Sequence, residues 1–342
     1  MKKQNVAVLG ATGAVGEEIL NMLVERAFPL GELRLLASPR SAGQKKVVDG
    51  KEYVIEAVSE DSFENIDIAF FCAGGSVSEK YAKHAVKAGA VVIDNTSAFR
   101  LKPDIPLVVP EVNGEDILKH QGIIANPNCS TTIMAVALAP IHKKAQIKRV
   151  VVSTYQAVSG AGFAGMQELE QQVRDYVADK PMEANVLPVA SGEKHYPIAF
   201  NAIPQIDVFE EGDYTKEEWK MIKETQKIFN EPLRITATTV RLPIMRSHCE
   251  SINVETELPL SPEECKELLR QAPGIEVLDE VAEQQYPMPI FTSGKDPVYV
   301  GRIRKDFSVK NGINLWVVGD QIRKGAALNA IQIAEFLTQN LG

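Results

Sequence analysis

The sequence predicts an α/β chain of two domains. The first has a mostly parallel sheet with helices on both faces; the second is α+β with a mixed, largely antiparallel sheet. Three observations carry this. Short continuous apolar runs alternate with helical patterns in the first part, from about residue 146 the runs lengthen and begin to alternate with polar residues, and 342 residues suit about two domains. Parallel strands are buried on both faces and read as continuous apolar runs. Alternation is the mark of a strand with one wet face.

Taken in order, residues 6–10 (VAVLG) predict a short buried strand, and 14–27 a helix with Val15, Ile19, Leu23 and Ala27 along one face. Residues 33–37 (LRLLA), 67–72 (DIAFFC), 90–94 (AVVID) and 122–125 (GIIA) are further short strands, with a helix at 78–88. "IKRVVVSTYQAVSG" opens the second part as a longer strand; 250–258, 298–304 and 313–322 alternate more and read as antiparallel. Helical patterns occupy 162–178, 215–229 and 261–271, the second opened by Thr215 and Glu218 as a T-x-x-E capping box. The Pro- and Gly-containing stretch 181–213 reads as an ordered excursion, and 323–341 as an amphipathic helix.

Composition excludes several classes. A net charge of −8 with no long basic run argues against a nucleic-acid surface. Cys72, Cys129, Cys249 and Cys265 are scattered without CxxC spacing, and the five histidines are isolated, so neither a disulfide framework nor a bound metal is expected. No apolar run approaches a membrane span, and the apolar part of MKKQNVAVLGATG is too short for a signal segment. A soluble, cytoplasmic protein is the expectation.

"VAVLGATGAVGEEIL" sets Gly10, Gly13 and Gly16 between a strand and a helix. Glycines allow a tight turn and close approach to a pyrophosphate, while the helix start offers free N–H groups. With Thr12, Ala14 and Val15 this loop reads as a Rossmann-like dinucleotide cradle. The next strand ends "LLASPRSAG", with no acid between Glu32 and Asp49 to hold a ribose hydroxyl. Ser38, Arg40 and Ser41 stand there instead and suit a 2′-phosphate, so the expected cofactor is NADP rather than NAD. A tight loop with a solvated arginine is the alternative.

In "IIANPNCSTT" an apolar strand stops at Asn-Pro-Asn and Cys129 opens a helix. Sites in open α/β sheets lie at the carboxyl ends of strands, and a helix start raises the thiolate fraction. Asn128 offers an amide to an oxygen. The position suits a nucleophile, although cysteine is also a small buried hydrophobe. A thiol combined with a nicotinamide cofactor implies aldehyde chemistry through a thioester.

"GATGAVG", "NPNCST", "YQAVSGAG", "EEWK" and "RLPIMRSHCES", in this order and spanning the chain, resemble the aspartate-β-semialdehyde dehydrogenases. The resemblance implies reversible, NADP-dependent reductive dephosphorylation of L-4-aspartyl phosphate to the semialdehyde and phosphate. That step leads to lysine (through diaminopimelate), methionine, threonine and isoleucine. It implies a homodimer, tetramer in some cases, with an NADP-binding domain of residues 1–129 plus 323–342 and a catalytic and dimerisation domain of 130–322.

The same resemblance implies roles. Cys129 is the nucleophile, Gln156 orients substrate beside it, and His248 is the general acid/base; Arg241 and Arg246 nearby would keep its imidazole neutral. Asn128 and helix-start N–H groups serve the oxyanion. Arg241 grips the α-carboxylate with a planar fork. Glu217 meets the substrate amino group, and Lys220 and Arg100 hold the phosphate, with Ser97 a lesser candidate. Ser159, Gly160, Gly162 and Gln321 are further cofactor contacts, and Gly74 and Gly75 face the cofactor. Residue by residue, each has a plainer reading: a solvated Glu217–Lys220 pair, a structural His248, a glycine loop at 159–162.

Two rivals differ in kind. N-acetyl-γ-glutamyl-phosphate reductases share the thiol logic but surround the cysteine with a Pro-Gly-Cys-Tyr type of sequence. A non-catalytic NADP sensor would need residues 1–41 and neither Cys129 nor His248.

Overall fold

A computed structural model describes residues 2–340. Those residues divide into two compact units, 2–128 with 325–340 and 129–324. The divisions fall one residue before and two residues after those expected from the sequence, so Cys129, Arg323 and Lys324 belong to the second unit.

The first unit is built on strands β1 (Gln4–Leu9), β2 (Leu30–Ala37), β3 (Lys45–Val48), β4 (Lys51–Ala57), β5 (Ile68–Phe71), β6 (Val91–Asp94) and β7 (Ile123–Ala125), with helices α1 (Ala14–Glu25), α2 (Gly75–Lys87) and the short α3 (Pro110–Asn113). The sheet order is β3-β4-β2-β1-β5-β6-β7, parallel except for β3 against β4. Strand order reverses at β1, and the loops after β1 and β5 flank that switch point, where ligands bind in such sheets. The β3–β4 hairpin is absent from the sequence expectation. Its signal is a two-residue Asp-Gly turn, both residues at positive φ (Asp49 49°, Gly50 72°), between short β-rich runs.

The last helix completes this unit. A wide π turn at Arg323–Ala327 leads into a regular helix, Leu328–Asn340. Leu328, Ile331, Ile333, Ala334 and Leu337 join the apolar core of the first sheet. Arg26 pairs with Glu335 through two bonds of 2.7 and 2.8 Å. Asn329 donates to Val108 O and to Asn126 Oδ1. The first half of this helix is buried all round rather than amphipathic, and the last residue of the expected element, Leu341, lies outside the described residues.

In the second unit, α4 (Cys129–Ala145) leads into β8 (Ile147–Gln156), α5 (Gly162–Val177), α6 (Lys216–Phe229), β9 (Arg234–Arg241), β10 (His248–Thr256), α7 (Pro262–Arg270), β11 (Ile275–Val277), α8 (Pro289–Thr292), β12 (Val298–Lys305) and β13 (Gly312–Gly319). The sheet order is β11-β12-β13-β10-β8-β9. It is antiparallel at its centre and parallel at both margins, β8 with β9 and β11 with β12. β9, "RITATTVR", alternates and is rich in β-branched residues, a legible signal that the sequence reading passes over. β10 starts two residues earlier than expected, which makes His248 its first residue; β13 ends at Gly319, three residues short of expectation.

α4 is apolar on nearly every side and packs wholly inside this unit, as such a helix must. Strand alternation sorts the sheet. Gln156, Thr154, Arg241, Thr239, His248 and Glu250 are buried, while Tyr155, Ser251 and Asn253 point to the half-buried opposite face.

Candidate active site

The cradle is made in the first unit. Gly10 sits at φ +94°, and a Cβ there would lie 2.8 Å from Cys72 C. A Cβ on Gly16 would come within 2.1 Å of Gly10 O, so the first turn of α1 can lie this close to the loop only as glycine. Gly13 is the N-cap of α1 and supplies no side-chain cap, which leaves the N–H groups around Thr12, Ala14 and Val15 without a side chain to answer them. Ser38 and Arg40 are exposed at the end of β2 and Ser41 is half-buried; among the described residues Arg40 has no acidic partner. Gly74 caps α2 with open space where a Cβ would stand, and Gly75 follows it. The cradle therefore fits a dinucleotide pyrophosphate, and the β2 end fits a 2′-phosphate.

Arg100 also belongs to the first unit, buried, with Nε donating to Asn126 O (2.9 Å) and Nη2 to Asn95 O (2.8 Å). Asn95 and Asn126 are themselves joined by an amide bond of 2.9 Å, so the chain just before Cys129 is held to the end of β6. Asn128 is buried and Ser97 exposed.

The second unit gathers the remaining chemistry. Cys129 is half-buried at the start of α4. Cys249 and Cys265 differ: both are buried, and burial pushes their thiols up to about 12, which keeps them protonated; Cys72 is half-buried, and its thiol too is pushed up, by desolvation and the Asp94 carboxylate.

His248 and Gln156 lie at the ends of neighbouring strands. His248 Nδ1 accepts the Ala157 N–H at 3.1 Å. A backbone N–H only donates, so the neutral ring carries its proton on Nε2, which lies 3.3 Å from Gln156 Nε2. Burial, with the Arg241 charge beside it, pushes the imidazole down to about 3, so it is neutral at working pH. The sequence reading credits Arg246 with the same effect. Arg246 instead turns to the buried carboxylate of Asp320 at 2.6 Å and takes no part.

A polar chain continues from there. Gln156 Oε1 accepts from Thr154 Oγ1 (3.0 Å), and its Nε2 donates to Glu217 Oε1 (3.3 Å). Glu217 Oε2 pairs with Lys220 Nζ at 3.1 Å, and Lys220 reaches Asp207 Oδ2 at 2.9 Å. The capping box aims this helix: Glu218 accepts Thr215 N–H (2.7 Å) and Thr239 N–H (2.9 Å), which locks the start of α6 to β9. The Glu217–Lys220 pair thus belongs to a network that runs from buried Gln156 and Glu217 to half-buried Lys220 and Asp207, rather than the solvated pair that spacing alone allows.

Arg241 is the most telling residue. It is buried, and its Nη1 donates to Ala157 O at 2.6 Å, yet its Nε has no acceptor among the described residues. Burial pulls its guanidinium down, and the charges of Glu217 and Cys129 act the other way. An unanswered buried guanidinium N–H is costly, and a carboxylate is its natural partner.

Gly160 and Gln321 have local tasks that the sequence does not announce. A Cβ on Gly160 would lie 2.7 Å from Arg241 Nη1 and 3.3 Å from His248 Nε2, so the absent side chain leaves room for both. Gly162 takes φ +75° to open α5. Gln321 Oε1 accepts the N–H of Ser247, a buried serine held at φ +74° immediately before His248, and Gln321 Nε2 donates to Ser159 Oγ. Gln321 therefore braces the turn that delivers the histidine.

One row below His248, on the same face of β10, Glu250 is fully buried with neither carboxylate oxygen bonded among the described residues. Burial raises its carboxyl well above the usual 4.5. A raised acid contributes stability that is full below its unfolded value and is lost as pH rises through the folded one. His248 has the opposite sign, its contribution present above 6.5 and lost as pH falls toward 3. Glu250→Gln is accordingly expected to melt higher than the native protein by a margin that grows from about pH 5 to about pH 8. Parallel melting curves across that range would refute the assignment.

Family models match the chain twice: the semialdehyde dehydrogenase NAD binding domain over residues 5–120 and the semialdehyde dehydrogenase dimerisation domain over 138–324. The aspartate-semialdehyde dehydrogenase of Aquifex aeolicus is 54% identical over 338 residues, covering 98% of each chain. The crystal structure of Vibrio cholerae aspartate semialdehyde dehydrogenase II complexed with ASA superposes with a TM-score of 0.95 at 48% identity, over the full length of both. The Candida albicans enzyme with NADP gives 0.76 at 26% identity, covering 98% of this chain and 99% of that one. At this identity over nearly its whole length, and with both family domains matched, the chain belongs to the aspartate-semialdehyde dehydrogenase family.

Proposed function

We propose that the chain interconverts L-4-aspartyl phosphate and L-aspartate 4-semialdehyde plus phosphate with NADP, through a thioester on Cys129, as a homodimer in the cytoplasm serving amino-acid biosynthesis. The observation that carries the substrate assignment is Arg241: buried, under the influence of the Cys129 charge, with an Nε that finds no acceptor among the described residues. It suits the α-carboxylate of a short amino acid whose far end meets the thiol. The dimerisation domain matched over 138–324 supports the dimer. Among the described residues no helix is long and apolar enough to cross a membrane, and the four cysteines are free thiols.

Gly10 to Gly16 with Ser38, Arg40 and Ser41 would hold NADP, which would accept or supply the hydride when bound. The chain does the rest. In the oxidative direction the Cys129 thiolate forms a C–S bond to the aldehyde carbon, and charge develops on the former carbonyl oxygen. His248 Nε2–H and the Gln156 amide, two donors 3.3 Å apart, suit that oxygen. This favours hydrogen-bond donation by a neutral histidine over the free acid/base exchange expected from sequence. Glu217 faces the substrate ammonium, and Lys220 receives phosphate, whose attack on the thioester carbonyl breaks the C–S bond and returns the thiolate.

The test mixes purified protein with the semialdehyde, phosphate and NADP and follows NADPH absorbance. Reduction that requires phosphate supports the reading. Reduction independent of phosphate, or none from folded protein that binds NADP, overturns it, and the latter result would revive the sensor.

A further inference from the structure

Lys220 lies between two carboxylates, Asp207 at 2.9 Å and Glu217 at 3.1 Å. A dianion approaching this lysine meets two like charges, so one must give way. Glu217 is the fixed member: its side chain is 5% exposed and its other oxygen accepts from Gln156. Asp207 is the outer one, 31% exposed; its Oδ2 meets the lysine while Oδ1 accepts the Val208 N–H at 2.9 Å. It stands at φ +70°, a conformation aspartate tolerates, on a short hairpin in which Phe209 pairs with Thr215 at the cap of α6. Local backbone thus delivers the carboxylate to Lys220.

We propose that Asp207 is an internal stand-in for the phosphate at Lys220, holding the lysine in place and yielding it when the anion binds, and so sets the affinity for phosphate. The proposal rests on Lys220 being a phosphate ligand. Asp207 is a positioning residue acting through that lysine. Releasing it costs an ion pair that is part exposed, a modest amount, and inorganic phosphate must offset that cost each time it binds.

Asp207→Asn removes the ion pair with little other change, because asparagine keeps the left-handed backbone and an Oδ1 for Val208 while an uncharged amide NH2 replaces the oxygen that meets Lys220. The KM for inorganic phosphate in the oxidative direction is expected to fall about five-fold, with the KM for semialdehyde unmoved. Asp207→Gly, equally at ease at positive φ, should shift the phosphate KM the same way and serves if the asparagine variant folds poorly. A brace with no competing role predicts the opposite, a higher KM for both substrates; that result, or an unchanged phosphate KM, overturns the proposal. Lys220→Met separates the two levels. If it raises the phosphate KM while Asp207→Asn does not lower it, only the stand-in fails; if it leaves the phosphate KM unchanged, the ligand assignment fails and takes the stand-in with it.

Discussion

Cys129→Ser is expected to lower turnover roughly a thousand-fold or more in both directions, while NADP binding and melting temperature stay near native. The hydroxyl is nearly isosteric but stays protonated near neutral pH, and an oxygen ester is a poorer acyl carrier than a thioester. Selective loss is the point. The substitution leaves the Gly10–Gly16 loop untouched, so cofactor titration should change little. The two buried cysteines provide an internal control: with thiols raised by burial, Cys249 and Cys265 should resist alkylation under conditions that modify Cys129 and abolish activity. Near-normal turnover in the serine variant would remove the thioester from the mechanism and return Cys129 to the role of a small buried side chain.

Much of this architecture is legible before any coordinates because local signals agree with the fold. Continuous runs such as VAVLG and AVVID mark buried parallel strands, and three glycines between strand and helix mark the cradle. The capping box at Thr215 forms as written. What escapes is set by partners distant in sequence. Asp207 is an ordinary loop acid until it meets Lys220. Arg246 looks equivalent to Arg241 until Asp320, 74 residues on, claims it. Gln321 reads as a ligand contact, and only the fold reveals that Ser247 and Ser159 engage both ends of its amide. Glu250 is silent in sequence because a carboxylate one row from a histidine on a strand is as often wet as dry; β8 and β13 on either side make it dry.

Arg241→Lys should raise the KM for semialdehyde roughly 10- to 100-fold, the range expected for losing a charged hydrogen bond, with a smaller change in kcat. Lysine keeps the positive charge but is a point donor without the fork that grips a carboxylate in two places. The split between KM and kcat decides between two roles the geometry allows. Arg241 Nη1 holds the Ala157 carbonyl, and the N–H of Ala157 holds His248 Nδ1, so the arginine also steadies the imidazole. Were that its whole function, the lysine variant would lose kcat and keep KM, because the imidazole would be less firmly placed. The unanswered Nε favours the first outcome: a group that only braces a loop has no need of a spare buried donor, whereas a group that receives a substrate carboxylate does. An analogue of the semialdehyde lacking the α-carboxylate sharpens the comparison. It should be a poor substrate for the native protein and lose little further in Arg241→Lys, because the interaction it lacks is the one the variant removes.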